Sequence, residues 1–297
     1  MDALWLVIIC LGAGMLTARV AHPEGLAASL NWWVLHIALP AMVLVQVVKL
    51  EWSADLLFPG AAMWLVFIGA WVLIELLGRL RGWSRSQVGA LVLTAGLGNT
   101  SFVGYPLIEA LRGHDALGIA VIADQLGSFL ALSTAGVFVA ARYAGQSMPI
   151  SALFLRVLKF PAFLALMLAL VIRAVGGLPE WSDQVLSRLG GTLTPLALFS
   201  VGMQLRFSRP GHDAEPLFWG LLWKLLLAPL AVWALVVAWG VPALIGEVSV
   251  LQAAMAPMIT AGILAQQHGL APSLSNRMVG LGILLSLVTV SAASFLI

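Results

Sequence analysis

The chain has 297 residues, of which 61% are hydrophobic and 9% charged, against about 25% charged in an average soluble domain. Mean hydropathy is +1.03, and 15 Lys and Arg against 13 Asp and Glu leave a formal charge of +2. This composition excludes a soluble enzyme and a disordered chain, and the charge balance excludes a phosphate-binding surface and with it a nucleic-acid-binding domain. The lone cysteine, Cys10, permits no internal disulfide and no cysteine-based zinc site and reads as a small hydrophobe in an apolar run.

A membrane-spanning helix needs roughly 20 apolar residues. Apolar runs bounded by charges, Pro and Gly predict ten spans, at 3–20, 30–48, 58–78, 88–111, 116–141, 151–173, 184–204, 216–239, 247–267 and 276–296. The first run, Ala3–Thr17, reads as a span and not as a signal peptide. Asp2 is the only charge before Arg19, and no small-residue cleavage site precedes a polar segment. Twelve Trp against two Tyr fit interfacial belts. The connections are short, and the longest polar stretch is Arg206–Glu215, RFSRPGHDAE.

With the N-terminus outside, the inner loops carry Arg19, Arg79, Arg81, Arg85, Arg142, Arg206, Arg209 and Arg277, and the outer loops carry Lys49, Arg112, Arg173 and Arg188. Basic residues concentrate on the cytoplasmic side, so both termini are expected on the outer, periplasmic face of a cell inner membrane.

The chain also shows internal similarity. LPAMVLVQVVKLEWS (39–53) and TPLALFSVGMQLRFS (194–208) align Pro40 with Pro195 at an offset of 155, and Pro106 and Pro257 recur at an offset of 151. Spans one to five thus resemble spans six to ten. Because five is odd, the second copy enters the membrane from the opposite side, an inverted repeat of the kind used by secondary transporters. The expected fold is an all-α integral membrane protein, with 1–145 as the first repeat and 150–297 as the second.

Chemistry concentrates at two interruptions. In GLGNTSFVGYPLIEA (96–110), three glycines and Pro106 break a helical run. Proline removes a backbone hydrogen bond, and an unsatisfied peptide group in hydrocarbon costs several kcal/mol, so the break belongs inside protein or beside water. Asn99, Thr100 and Ser101 place polar side chains there, and Tyr105 precedes Pro106. A helix half starting near Pro106 would aim its N-terminal amides into the site, which favours an anion. The partner break is LQAAMAPMITAGILAQQH (251–268), with Pro257 and the polar Gln252 and Thr260. Asn99, Thr100, Ser101, Tyr105, Pro106, Gln252, Pro257 and Thr260 are the candidate substrate contacts.

Charges within spans are costly, about 2.5–3.5 kcal/mol on insertion scales, and usually face protein or water. Asp124, beside Gln125 and Ser128, reads either as a proton carrier or as a structural group that orders the crossover. Glu109 reads either as a proton site or as a helix-end partner of Arg112, three residues on. Glu75 reads as a helix-end pair with Arg79. Lys224 lies about 12 Å into span eight at ~1.5 Å per residue. It either snorkels to the surface or neutralises an anion or acidic group. His36 reads as a hydrogen-bonded scaffold residue, and Gln125 joins Asp124 and Glu109 as a candidate for ion coupling.

GNTSFVGYPL (98–107) resembles the Gly-Asn-Thr-x-Phe-x-Gly-x-Pro-Leu signature of the auxin efflux carrier family. TPLALFSVGMQL (194–205), KLLLAPL (224–230) and MAPMITAGILA (255–265) are similar to its later segments, so the resemblance covers essentially the whole chain. It implies the ten-helix fold of bile-acid symporters and sodium/proton antiporters. Spans 1, 2, 6 and 7 would form a scaffold, and spans 3–5 and 8–10 a mobile elevator-like transport domain with crossed helices 4 and 9. It also implies that Asn99 touches substrate. Bacterial members carry malonate, malate and related anions, and plant members export auxin. The long hydrophilic loop of the plant members has no counterpart here.

The expected activity is therefore secondary transport of small organic anions by alternating access. The partners would be the anion, the lipid bilayer, a proton or sodium ion and a second copy as a homodimer, with no nucleic acid, cofactor or metal. No His-Glu-x-x-His, Gly-x-Ser-x-Gly or Gly-x-x-x-x-Gly-Lys-Ser/Thr pattern occurs, so hydrolysis, including that of ATP, is not expected. The alternatives are a sodium-coupled symporter of the same fold and a membrane ligand sensor.

Overall fold

A computed structural model describes residues 2–146, 155, 157–205 and 213–297. The basic residues Arg206 and Arg209, with most of the polar stretch and the end of the second repeat motif, lie outside the described residues, as does the first part of predicted span six.

The described chain is all-helical. Its segments are α1 (Asp2–Thr17), α2 (Leu26–Lys49), α3 (Ala54–Arg81), α4 (Arg85–Gly96), α5 (Gly104–Arg112) and α6 (His114–Ala144). There follow α7 (Pro161–Ala174), α8 (Glu180–Gln204), α9 (Ala214–Trp239), α10 (Ala243–Ala254), α11 (Ile259–Gln267) and α12 (Pro272–Leu296). Six of these, α2, α3, α6, α8, α9 and α12, are each long and apolar enough to cross a membrane, and shorter apolar helices accompany them. The runs predicted at 88–111 and 247–267 are each divided, between α4 and α5 and between α10 and α11.

Local chemistry explains the boundaries. Ser84 and Gln87 form a reciprocal capping box at the start of α4. Gly82 ends α3 at φ 68°, a left-handed conformation that glycine adopts without a Cβ clash. Proline shapes two helix interiors. A π-helical turn at Val34–Ala38 precedes Pro40, and another at Trp223–Leu227 precedes Pro229. A proline cannot donate to the carbonyl four residues back, and the widened turn is one way the helix absorbs that loss. The turns at Ala123–Phe129 and Leu132–Gly136 in α6 are also π-helical and have no proline after them.

The chain divides into two compact units. Unit 1 comprises Met1–Ser53, Ser101–Val121 and Arg156–Leu205, and unit 2 comprises Ala54–Thr100, Ile122–Leu155 and Arg206–Ile297. In unit 1, α1 lies along the C-terminal half of α8, and α7 lies along α2. Small residues permit the first contact: a Cβ at Gly202 would sit 3.1 Å from the Cα of Gly14, an approach that only small residues allow between packed helices. Trp33 Nε1 donates to Thr192 Oγ1 (3.0 Å), at the break between the two helical stretches of α8, Glu180–Gly191 and Leu193–Gln204.

Unit 2 has a continuous apolar core built from Phe67, Ile74, Leu91, Leu93, Val137, Leu264 and Met278, with a smaller cluster around Met63, Val66, Val232 and Val250. Gly60 and Gly127 bring α3 and α6 together, since a Cβ at Gly127 would meet the Gly60 carbonyl at 3.0 Å. The opposite face of α3 carries Leu57, Ile68, Val72, Leu76 and Leu80, all more than half exposed. A stripe of large apolar side chains turned outward fits contact with lipid tails.

Candidate functional site

Unit 2 contains the crossing of two broken helices. After α4 the backbone of Leu97–Asn99 runs antiparallel to that of Ala256–Met258. Asn99 N–H donates to Ala256 O (2.7 Å), and Met258 N–H donates to Leu97 O (2.9 Å), with Gly98 opposite Pro257. Each break therefore satisfies peptide groups of the other. This answers the cost of interrupting a helix in hydrocarbon. It also means that these two amides are already bonded and do not point at a ligand.

Side chains fasten the crossing further. Gln252 Nε2 donates to Thr100 O (3.2 Å), and Thr100 Oγ1 donates to Asp124 Oδ1 (2.5 Å). Gln125 Nε2 donates to Asp124 Oδ2 (2.8 Å). Asn99, Thr100, Asp124, Gln125 and Gln252 are all buried. Asp124 and Gln125 occupy the π-helical turn of α6, and π-turns often mark functional positions. Among the described residues, Gln125 Oε1 and Gln252 Oε1 have no hydrogen-bond partner, which leaves two buried acceptors unused in this arrangement.

Lys224 completes the cluster. It is 0% exposed, on the π-helical turn of α9, and its Nζ donates to Ala253 O (2.7 Å). That carbonyl belongs to the last turn of α10, the negative end of a helix dipole. The ammonium also lies against the crossing, because a Cβ at Gly98 would sit 2.9 Å from Nζ. Glycine at 98 thus makes room for the charge. Among the described residues no carboxylate forms a salt bridge with Lys224. It is buried at the crossing and does not snorkel to the surface.

The remaining predicted contacts are placed elsewhere. Pro257 is buried in the crossing, and Thr260 is exposed in the first turn of α11. Ser101, Tyr105 and Pro106 belong to unit 1, where Tyr105 and Pro106 are buried in the first turns of α5. Glu109 also belongs to unit 1. It accepts from His114 Nδ1 (3.2 Å) and Thr194 Oγ1 (3.3 Å), and Gln46 Nε2 reaches His114 Nε2 at 2.8 Å. These groups, with Tyr105 and Gly190, line a cavity of about 50 Å³. His36 stacks on Trp32 at 4.7 Å and bonds the Trp32 carbonyl. Glu75 pairs with Arg79 as the spacing predicts, and in addition accepts from Tyr143.

Sequence reasoning did not find the meeting of Lys224 with Gly98. The available signal was Pro229, five residues after Lys224, which foretells a disturbed turn at the lysine but not its direction.

The long apolar helices fit a multi-pass integral membrane protein, and the paired breaks gather buried polar groups between its helices. The family described as membrane transport protein matches residues 1–293. The chain belongs to that family, the auxin efflux carrier-like membrane transporters. Two archaeal relatives share this character. An "uncharacterized transporter" of Methanothermobacter thermautotrophicus is 26% identical over 289 residues, covering 96% of this chain and 93% of the relative. A second, from Methanocaldococcus jannaschii, is 26% identical over 250 residues, covering 79% of this chain and 78% of the relative.

Proposed function

We propose that the protein moves small organic anions, mono- or dicarboxylates, across a cell inner membrane by alternating access, with the anion held at the helix crossing of unit 2. The observation that carries this reading is Lys224. An ammonium removed from water costs several kcal/mol unless an opposite charge accompanies it, and its single carbonyl partner, Ala253 O, is neutral. A substrate carboxylate would supply the missing charge. Asn99 and Gln252 stand in the same cluster to orient it, and Gly98 leaves the ammonium approachable.

The two-unit division supports alternating access. Predicted spans 3 and 8–10, with most of span 5, fall in unit 2, and spans 1, 2 and 7, with most of span 6, fall in unit 1. The Ser101–Val121 segment, the second half of span 4 with the start of span 5, groups with unit 1. In our reading it links a scaffold and a transport domain while packing with the scaffold. Asp124 is assigned an ordering role at the crossing, as its bonds to Thr100 and Gln125 suggest, and proton coupling is assigned to Asp124 or Glu109. A sodium-coupled mechanism is less well supported. Carbonyls at the C-terminal ends of half-helices are the usual sodium ligands in broken-helix transporters, and here Lys224 holds one of them.

The test is charge movement by the purified protein in proteoliposomes on a solid-supported membrane. A panel of carboxylates including malonate and malate is applied in sodium and sodium-free buffer, together with counterflow of a labelled acid. Currents or counterflow with one of the acids, lost in Lys224→Met and in Asn99→Ala, are expected. Uptake with no dependence on either residue would refute the site. Ligand binding without counterflow would identify a sensor.

A further inference from the structure

A second feature of unit 2 lies away from the crossing and has no part in the transport reading. On the outer face of α3 an open cavity of about 440 Å³ runs along Ile68, Val72 and Leu76 and is walled by Trp71. Ile68, Val72 and Leu76 are exposed, Trp71 is half-buried, and Phe138 of α6, also exposed, adjoins Trp71 with ring centroids 6.3 Å apart. Toward one end the cavity is lined by Glu75, Arg79 and Arg142. From Ile68 to Arg79 the helix rises about 16 Å at ~1.5 Å per residue. That is the depth of one leaflet, half of a hydrocarbon core roughly 30 Å thick.

The charges at that end are unbalanced. Glu75 is saturated within the protein: Arg79 donates to its Oε1 through Nε (3.2 Å) and Nη2 (2.9 Å), and Tyr143 OH donates to Oε2. Arg79 keeps its Nη1 unbonded, and the Arg142 guanidinium makes no hydrogen bond, among the described residues. Arg85 joins the same corner by donating to the Arg142 carbonyl (2.6 Å). Two guanidinium groups, Arg79 and Arg142, therefore line the cavity against one carboxylate that is already engaged. Guanidinium forks match the oxygens of a phosphodiester, and basic pockets beside membrane helices bind anionic headgroups.

We propose that this groove is a binding site for one anionic glycerophospholipid of the surrounding bilayer. Its phosphate sits between Arg79 and Arg142, and one acyl chain lies along Ile68, Val72 and Leu76 against Trp71. An apolar groove one leaflet deep, ending in surplus positive charge, is complementary to such a lipid along its whole length. A zwitterionic lipid would fill the groove and offer the same phosphate but bring its own ammonium against the surplus positive charge, and a free anion would match the charge but leave the groove unfilled.

The full-length protein is purified in detergent and mixed with equimolar phosphatidylglycerol and phosphatidylcholine of identical acyl chains. Bound lipid is then counted by native mass spectrometry. Preferential retention of phosphatidylglycerol is expected. Each arginine near an anionic headgroup contributes enough that its loss should lower retention roughly five-fold, so Arg142→Gln should show that drop and Arg142→Glu a larger one. Both variants change an exposed side chain, and an unchanged melting temperature verifies that they fold. Val72→Trp, which fills the groove and keeps every charge, should also reduce retention. Millimolar inorganic phosphate should not displace the lipid. Equal retention of the two lipids, or retention indifferent to Arg142, would overturn the proposal. Displacement by phosphate, or indifference to Val72→Trp, would overturn it in favour of a simple anion site.

Discussion

The two polar clusters of this protein handle buried polarity in opposite ways. At the crossing in unit 2, Lys224, Gln252, Thr100, Asp124 and Gln125 are almost wholly shut off from solvent, and backbone from one broken helix bonds backbone from the other. In unit 1, Glu109, His114, Gln46 and Thr194 form a chain of side-chain bonds around a small cavity, with the His114 and Glu109 side chains 65% and 37% exposed. The first cluster cannot fall back on water if a partner is removed, whereas the second can. Burial therefore makes the crossing the place where the loss of a single polar partner costs most.

The comparison is sharpened most by Lys224→Met. Losing a charge-assisted bond to substrate is worth about 1.5–3 kcal/mol, so transport should fall ten-fold or more in the proteoliposome assay. Removing an ammonium that lacks a carboxylate partner should at the same time leave the thermal midpoint unchanged or raise it. A collapse in stability instead would show that the lysine serves only to cap α10. Next comes Thr100→Val, which leaves the Asp124 carboxylate short of a donor in a buried site. A loss of about 1–3 kcal/mol is expected in thermal or denaturant unfolding. Asp124→Asn should cost a similar amount, because its amide would face the Gln125 amide. A shift in the pH profile of transport by Asp124→Asn would identify proton transfer beyond ordering.

Gly98→Ala tests the closeness of the crossing. Its Cβ would meet Lys224 Nζ at 2.9 Å, and overpacking of that kind costs about 1–3 kcal/mol when neighbours cannot move. Because the lysine tip can shift, we expect the lower end of that range and weakened transport. The smallest effect belongs to unit 1. His114→Ala should change stability by less than about 1 kcal/mol, as partly exposed pairs do. A larger loss would erase the contrast between the two clusters.

Much of this was legible in the chain. Hydropathy located most of the helices to within a few residues, since lipid tolerates only long apolar runs, but the helix of predicted span six (151–173) begins only at Pro161, whose missing N–H suits a first turn, after a turn at Lys159. Pro106 and Pro257 with their glycines announced the two breaks, because proline and glycine disturb a helix wherever they stand. Glu75 and Arg79 announced their own pair through four-residue spacing. Other features could not be read. Nothing in the sequence said that Asn99 N–H would be taken by Ala256 O, or that Thr260 would face outward while Gln252 faced inward. The Lys224 side chain was equally compatible with the surface and with the interior. The lipid groove draws on α3 and α6, whose residues are some 60 positions apart in the chain.

The sequence alone determined what is local: an all-helical membrane chain, the positions of its interruptions, and membership of a transporter family. Hydrophobic transfer, proline geometry and short-range pairing act within a few residues and leave a direct imprint. The tertiary structure decided which interruption meets which, where Lys224 directs its charge, and which side chains share a cavity. Those outcomes depend on packing and on the mutual satisfaction of buried polar groups between segments more than a hundred residues apart, and no single stretch of sequence carries that information.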